Sequence, residues 1–190
     1  MMHKARRYAY PLFALSALIT LVAGIAGCAG TTVPLEVVER VDLERYAGRW
    51  YEIARYPNQF EQNCTGVTAD YTLRDDGRVG VVNTCRAGSL DAEPQRIDGT
   101  ARTIDESNAK LRVQFFWPFE GDYWIIELAD DYSYAVVGEP ARRFLWILSR
   151  EPQLDEAVLA GIMDRLPEFE YDPDRLIMVE QFEEPINDDS

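Results

Sequence analysis

The sequence predicts an all-β fold: an eight-stranded antiparallel up-and-down β-barrel with one C-terminal α-helix packed outside. Three observations predict it. Between residues 49 and 149, about eight strand-like runs follow one another, separated by short turn signals such as Arg74-Asp75-Asp76-Gly77 and Asp105-Glu106-Ser107-Asn108. After Pro152 the apolar period lengthens to four residues, at Leu154, Val158, Ile162 and Leu166. A meander of this length must protect its edge strands, and closing the sheet removes them. Eight strands enclose room for side chains or for one small ligand. A chain of 190 residues with 47% hydrophobic content suits one domain with a sizeable core.

The first 27 residues read as a signal peptide to be set aside before fold reasoning. Lys4, Arg6 and Arg7 form a positive segment, Leu12 to Val22 an apolar one, and Ile25-Ala26-Gly27 leads directly into Cys28. This junction resembles the lipobox of bacterial lipoproteins. The resemblance implies cleavage before Cys28 and acylation of that cysteine, as with palmitate. Ala29 in place of Asp implies the outer membrane, with the domain on its periplasmic face. An uncleaved anchor and an ordinary secretory signal stay open, although the 17 residues from Pro11 to Gly27 are short for a span. Several acyl chains would hold the chain stably on a bilayer.

Residues 28–40, with Thr31, Thr32 and Pro34, read as a lipidated tether. The barrel domain is expected over 41–181. Asp42 is placed to cap one helical turn through Tyr46. Strands follow over Arg49 to Tyr56, Val67 to Leu73, Arg78 to Cys85, Arg96 to Ile104, Lys110 to Phe116, Asp122 to Leu128, Ser133 to Gly138 and Arg143 to Ser149. The helix is expected from Leu154 until Pro167 stops it, then a short strand over Arg175 to Glu180. Residues 182–190 read as an acidic, disordered tail.

Composition narrows the function classes. Without the signal the chain holds 16 basic against 33 acidic residues, a net charge of −17, which disfavours nucleic acid and anionic lipid headgroups as bulk partners. The one histidine is His3, inside the signal. The remainder therefore has no Ser-His-Asp or Cys-His pair and no histidine metal ligand, and a non-enzymatic role without cofactor or metal is expected. With Cys28 acylated, Cys64 and Cys85 are left as a pair flanking a hairpin in an oxidising compartment. They are expected to form a disulfide, provided geometry allows it.

Several separated motifs resemble those of the lipocalins, in particular the bacterial outer-membrane lipoprotein branch with its apolipoprotein D-like relatives. They are Gly48-Arg49-Trp50-Tyr51-Glu52-Ile53-Ala54-Arg55, Asp130-Asp131-Tyr132 with Tyr134-Ala135-Val136-Val137, and Trp146-Ile147-Leu148-Ser149-Arg150. Tyr71 to Gly77 and Phe115-Phe116-Trp117-Pro118-Phe119 also read like that branch. The second motif departs from the family's threonine-aspartate-tyrosine form. The resemblance covers about Val41 to Gln181. It implies the calycin barrel, with Trp50 across the closed end and Arg150 stacked on it as a structural latch. It also implies a fatty acid or lysophospholipid ligand and a role in envelope maintenance.

Strand alternation then assigns the pocket, once Trp50 is placed inside. The expected pocket residues are Ala54, Tyr56, Ala69, Tyr71, Val81, Asn83, Ile97, Gly99, Ala101, Val113, Phe115, Tyr123, Ile125, Val137 and Trp146. Alanine and glycine facing the axis would leave space, and an apolar cavity with sparse polar groups suits an acyl chain. The same side chains could equally fill a barrel that binds nothing. Glu52 also faces in and needs a partner or a proton. Phe60, Trp117, Pro118 and Phe119 fall at the mouth. There they would meet a membrane or another subunit, as in a homodimer, or fold back over the pocket. An interaction or assembly lipoprotein is the alternative function.

Overall fold

The computed structural model describes residues 33–184; the expected signal peptide, the acylation site Cys28 and the end of the acidic tail lie outside them. Asp42 accepts from the backbone N–H groups of Glu44 and Arg45 and caps the single-turn helix α1, Leu43–Tyr46. The strands are β1 (Gly48–Arg55), β2 (Cys64–Leu73), β3 (Val79–Ala87), β4 (Pro94–Thr103), β5 (Lys110–Phe116), β6 (Phe119–Leu128), β7 (Tyr134–Gly138) and β8 (Leu145–Ser149). Helix α2, Glu156–Arg165, is capped by Asp155, and a two-residue strand β9, Ile177–Met178, follows.

From β1 to β8 each strand pairs antiparallel with the next, and β1 closes the barrel by pairing with both β2 and β8. The closed eight-stranded barrel with one helix outside is therefore the observed architecture. Two apolar cores result. One fills the barrel around Trp50, Tyr71, Val81, Ile125, Val137 and Leu148. The other lies between the outer face and α2, where Ile162 and Leu166 pack with Tyr51, Ile53, Val136 and Ile147. The four-residue period of the helix and the two-residue period of the strands meet in that second core.

The first strand departs from simple alternation. Glu52 faces Leu148 while Ala54 faces Ile147, so the register shifts between them. Past this bulge the faces exchange. Arg55 is opposite Trp146 on the inner side, whereas Ala54 and Tyr56 join the outer core against the helix layer. Ala54 and Tyr56 are thus not pocket residues; unbroken alternation had placed them inside.

Beyond the bulge β1 parts from β2, and the C-terminal segment fills the gap. Ala54 pairs with Met178 and Arg55 with Ile177. Val179 N donates to Ile53 O and Gly66 N to Glu180 O. The Gln181 side-chain amide then donates to Glu52 O and Val67 O, at 2.9 and 2.8 Å, bridging the two strands. Phe182 lies against Gly66 and under the Arg86 guanidinium, so it belongs to the folded body and not to the tail.

The stretch expected as a tether is likewise packed where it is described. Leu35 is buried in the outer core, Val38 N donates to Ile125 O, and Val41 N donates to Ser107 O. Apolar residues every few positions along 33–41 give the chain a seat on the barrel wall.

Chain direction defines two ends. The 56–63, 88–93, 117–118 and 139–144 connections ring the mouth; α1 and the remaining turns close the other end. Cys64 and Cys85 form a disulfide between β2 and β3 on the mouth side.

Candidate ligand site

The floor of the barrel is built on Gly48. Its φ is +94°, a conformation that side chains rarely adopt, and a Cβ there would approach Arg150 Nη1 to 3.3 Å. Glycine lets the chain turn from α1 into β1 and leaves room for the guanidinium. Arg150 Cζ lies 3.9 Å from the Trp50 ring centroid, and its nitrogens donate to Arg49 O and Arg45 O at 2.8 and 2.6 Å. Loss of solvent draws the Arg150 pKa below the ordinary guanidinium value. Trp50, 0% exposed, donates through Nε1 to Tyr46 O at 2.8 Å.

Above the indole, three phenols share hydrogen bonds. The Tyr123 hydroxyl is 2.7 Å from that of Tyr46 and 2.9 Å from that of Tyr71. Burial pushes all three well up, so they act as neutral donors and acceptors. A cavity of about 10 Å³ remains beside them, lined by Leu43, Tyr46, Ala47, Tyr71, Val79, Ala101, Leu111, Val113 and Tyr123. That is room for about one water. The lower barrel is filled by side chains.

Toward the mouth the inner side chains form a less buried cup. Ala69, Val113, Phe115, Tyr123 and Trp146 pack on the inner core yet are only partly buried. Register places Asn83 opposite Ile97 and Val81 opposite Gly99 on the same inner face, and Asn83, Ile97 and Gly99 are also partly buried. The Asn83 Oδ1 atom is buried without a hydrogen-bond partner. Gly99 does not leave free space, because a Cβ there would meet the Phe115 ring at 2.7 Å. Of the expected pocket residues, Val81, Ala101, Ile125 and Val137 are buried wall, and Tyr71 belongs to the floor.

A charged cluster occupies the wall between cup and mouth. Glu52 and Arg55 are 3% and 4% exposed, and Arg55 Nη1 donates to Glu52 Oε1 at 2.6 Å. Arg55 Nη2 donates to Glu61 O at 2.7 Å, while its Nε has no hydrogen-bond partner, with Glu61 Oε2 at 3.9 Å. Glu61 Oε2 accepts from Asn58 Nδ2 at 2.6 Å and from Trp146 Nε1 at 3.1 Å. Burial raises the Glu52 pKa well above the ordinary carboxyl value; the neighbouring Glu61 charge adds to this and Arg55 opposes it. The partner that the sequence demanded for this buried carboxyl is a guanidinium donor. The partner itself, Arg55, is brought inside only by the bulge. Phe60, Phe144 and Trp146 continue the cluster as an aromatic series, with centroids 5.8 and 5.9 Å apart. A recess of about 420 Å³ under the first mouth loop is lined by Arg55, Pro57, Asn58, Gln59, Glu61, Gln62, Asn63 and Ile177. Its walls are mainly amide and charged, unlike the cup.

Comparison with known proteins decides the family. The family model described as a lipocalin-like domain matches residues 41–181. The chain belongs to the lipocalins. It is 41% identical to the outer membrane lipoprotein Blc of Citrobacter freundii over 147 residues, 76% of this chain and 82% of that one. It is 36% identical to temperature-induced lipocalin-1 of Arabidopsis thaliana over 161 residues, 80% and 85% of the two chains. Among solved structures, insecticyanin from the tobacco hornworm Manduca sexta superposes with a TM-score of 0.65 at 20% identity, covering 81% of this lipocalin and 88% of insecticyanin. That likeness supports the fold.

Among the described residues of this lipocalin, no helix is long and apolar enough to cross a membrane, and no three His, Cys, Asp or Glu side chains group as a metal site. Sequence reasoning missed Arg55, Glu61 and Tyr46 as inner-wall residues. Arg55 follows Ala54 in what reads as unbroken alternation, and Glu61 comes from a loop. Tyr46 had a helical position but no signal that it would point up the axis.

Proposed function

We propose that this lipocalin binds a single-chain lipid, a fatty acid or lysophospholipid, with its acyl chain in the upper barrel and its polar head near the mouth. One observation supports the reading: Ile97, Val113, Phe115 and Trp146 lie on the barrel's inner face yet remain partly exposed, as the wall of an apolar cup at the mouth would be. Each methylene buried there would contribute about 0.8 kcal/mol. The filled floor limits how deep a chain can reach. The amide-lined recess and the Glu52–Arg55–Glu61 cluster supply polar partners for a head at the rim.

An N-terminal lipid on Cys28 would keep the site beside a source of such ligands, and the 41% identical Citrobacter relative is named an outer membrane lipoprotein. Storage or transfer of lipid during envelope maintenance is the physiological role this reading supports. The binding role is tested by extracting the purified protein with organic solvent, identifying lipids by mass spectrometry, and measuring displacement of a fluorescent fatty acid. Ile97→Trp should fill the cup and abolish displacement while the thermal transition is kept. Absence of both co-purified lipid and displacement in the parent protein would sink the reading in favour of an assembly lipoprotein with a filled barrel.

A further inference from the structure

Exposed aromatic surface is concentrated at the mouth. Phe116, Trp117 and Phe119 are 67%, 85% and 75% exposed at one tight turn, and Phe60 on the first mouth loop is 70% exposed. At the closed end Leu73 and Ile104 are only marginally exposed. Single exposed apolar residues need no explanation, but a cluster of aromatics at one tip does.

The path of the chain says what lies beyond that tip. Val33 O accepts from Arg142 Nη2 at 2.6 Å, so the described chain begins at the mouth end, beside the β7–β8 loop. From there it runs along the wall past Ile125 to Ser107 at the closed end. Cys28 precedes Val33 by five positions, a stretch of at most about 18 Å when fully extended. The ten residues of β2 span about 33 Å along the strand, or about 25 Å along a tilted barrel axis. A lipid on Cys28 can therefore hold the mouth end at a bilayer and cannot reach the plane of the closed end. The β5–β6 hairpin that carries Trp117 is next to the β7–β8 hairpin, about two strand spacings or 10 Å away.

We propose that the mouth rim around Phe116, Trp117 and Phe119 docks into the surface of a lipid bilayer, so that the barrel opens toward the membrane. The chemistry of the tip fits that partner. Phe116-Trp117-Pro118-Phe119 carries no charge. The nearest charged groups are matched among themselves: Arg102 with Glu120 at 2.9 Å and Arg112 with Asp122 at 2.7 Å. Burying the tip at the headgroup level thus strands no ion. Tryptophan is favoured at that depth, where its ring is apolar and its N–H stays wet. The docking rests on acylation at Cys28 and not on what the barrel holds.

The test uses the full acylated chain reconstituted into phosphatidylethanolamine–phosphatidylglycerol vesicles whose acyl chains are brominated near the headgroup. Bromolipid should quench tryptophan emission, and W117F should remove most of the quenched component, because Trp50 is buried at the far end and Trp124 and Trp146 are partly buried, against 85% exposure for Trp117. Equal quenching in W117F and the parent would overturn the proposal. So would an unquenched Trp117, whether its cover proves to be a second copy, seen as self-association that W117F weakens, or the chain's own mouth loops. Fatty-acid displacement on the same vesicles keeps the two readings apart. Displacement with Trp117 unquenched sinks the docking alone, and quenching without displacement sinks the lipid-binding reading alone.

Discussion

The two ends of this barrel use the same residue types in opposite ways. At the closed end Tyr46, Trp50, Tyr71 and Tyr123 are packed together, with the indole N–H, three phenols and the Arg150 donors engaged within the protein. At the mouth Phe60, Phe116, Trp117 and Phe119 are exposed, and the polar groups behind them include a buried Arg55 Nε and Asn83 Oδ1 without hydrogen-bond partners. Aromatic content alone therefore says nothing about function. What separates stability from function is whether each ring has its neighbours within the chain.

Substitutions at the two ends should separate accordingly. Trp50→Ala removes the central side chain of the floor and should cost about 3–5 kcal/mol, read as a fall in the urea midpoint. A loss below about 1 kcal/mol would show that the floor is not the stability centre. The mouth has one covalent support of its own. Cys64→Ser opens a loop closed across 21 positions and should cost about 3 kcal/mol in urea titrations under oxidising conditions. The same titration after reduction should make parent and variant coincide.

Glu52 gives a pH-dependent contrast. Burial raises its folded pKa above the unfolded value, so the folded state keeps a proton that the unfolded chain releases. The associated stability is fully present below about pH 4.5 and declines as pH rises through the raised value. Glu52→Gln holds the site neutral at every pH, and its urea midpoint should fall less than the parent's between about pH 5 and pH 8. Parallel slopes would contradict a Glu52 pKa raised by burial. The smallest effect is expected at the rim: Trp117→Ala should change stability by no more than about 0.5 kcal/mol in thermal melts. A larger loss would mean that the mouth aromatics pack within the chain and that the contrast between the ends is false.

Most of the fold was legible because it rests on period. Alternation, tight turns and the later four-residue spacing are local signals, and strand order follows from short connections. The disulfide was legible from two cysteines flanking one hairpin. The site was only partly legible. Asn83, Ile97, Val113, Phe115 and Trp146 lie on the inner face that alternation assigns them, although the β5–β6 pairing shifts register between Val113 and Phe116. Alternation misplaced Ala54 and Tyr56 because one extra residue, Ile53, exchanges the faces of β1, and Ile-Ala-Arg-Tyr carries no marker for it. It also read Gly99 as open space, although the Phe115 ring occupies it. Such an error arises whenever a small residue is judged without its cross-strand neighbour.

The seam between β1 and β2 has a consequence for how the molecule is made. The first strand of the barrel is completed by β8, by β9 and by the Gln181 carboxamide, which follow it along the chain by about 90 residues or more. No partial chain can close the wall. A chain that extends only as far as β7 carries a free strand edge, which β8, β9 and Gln181 remove.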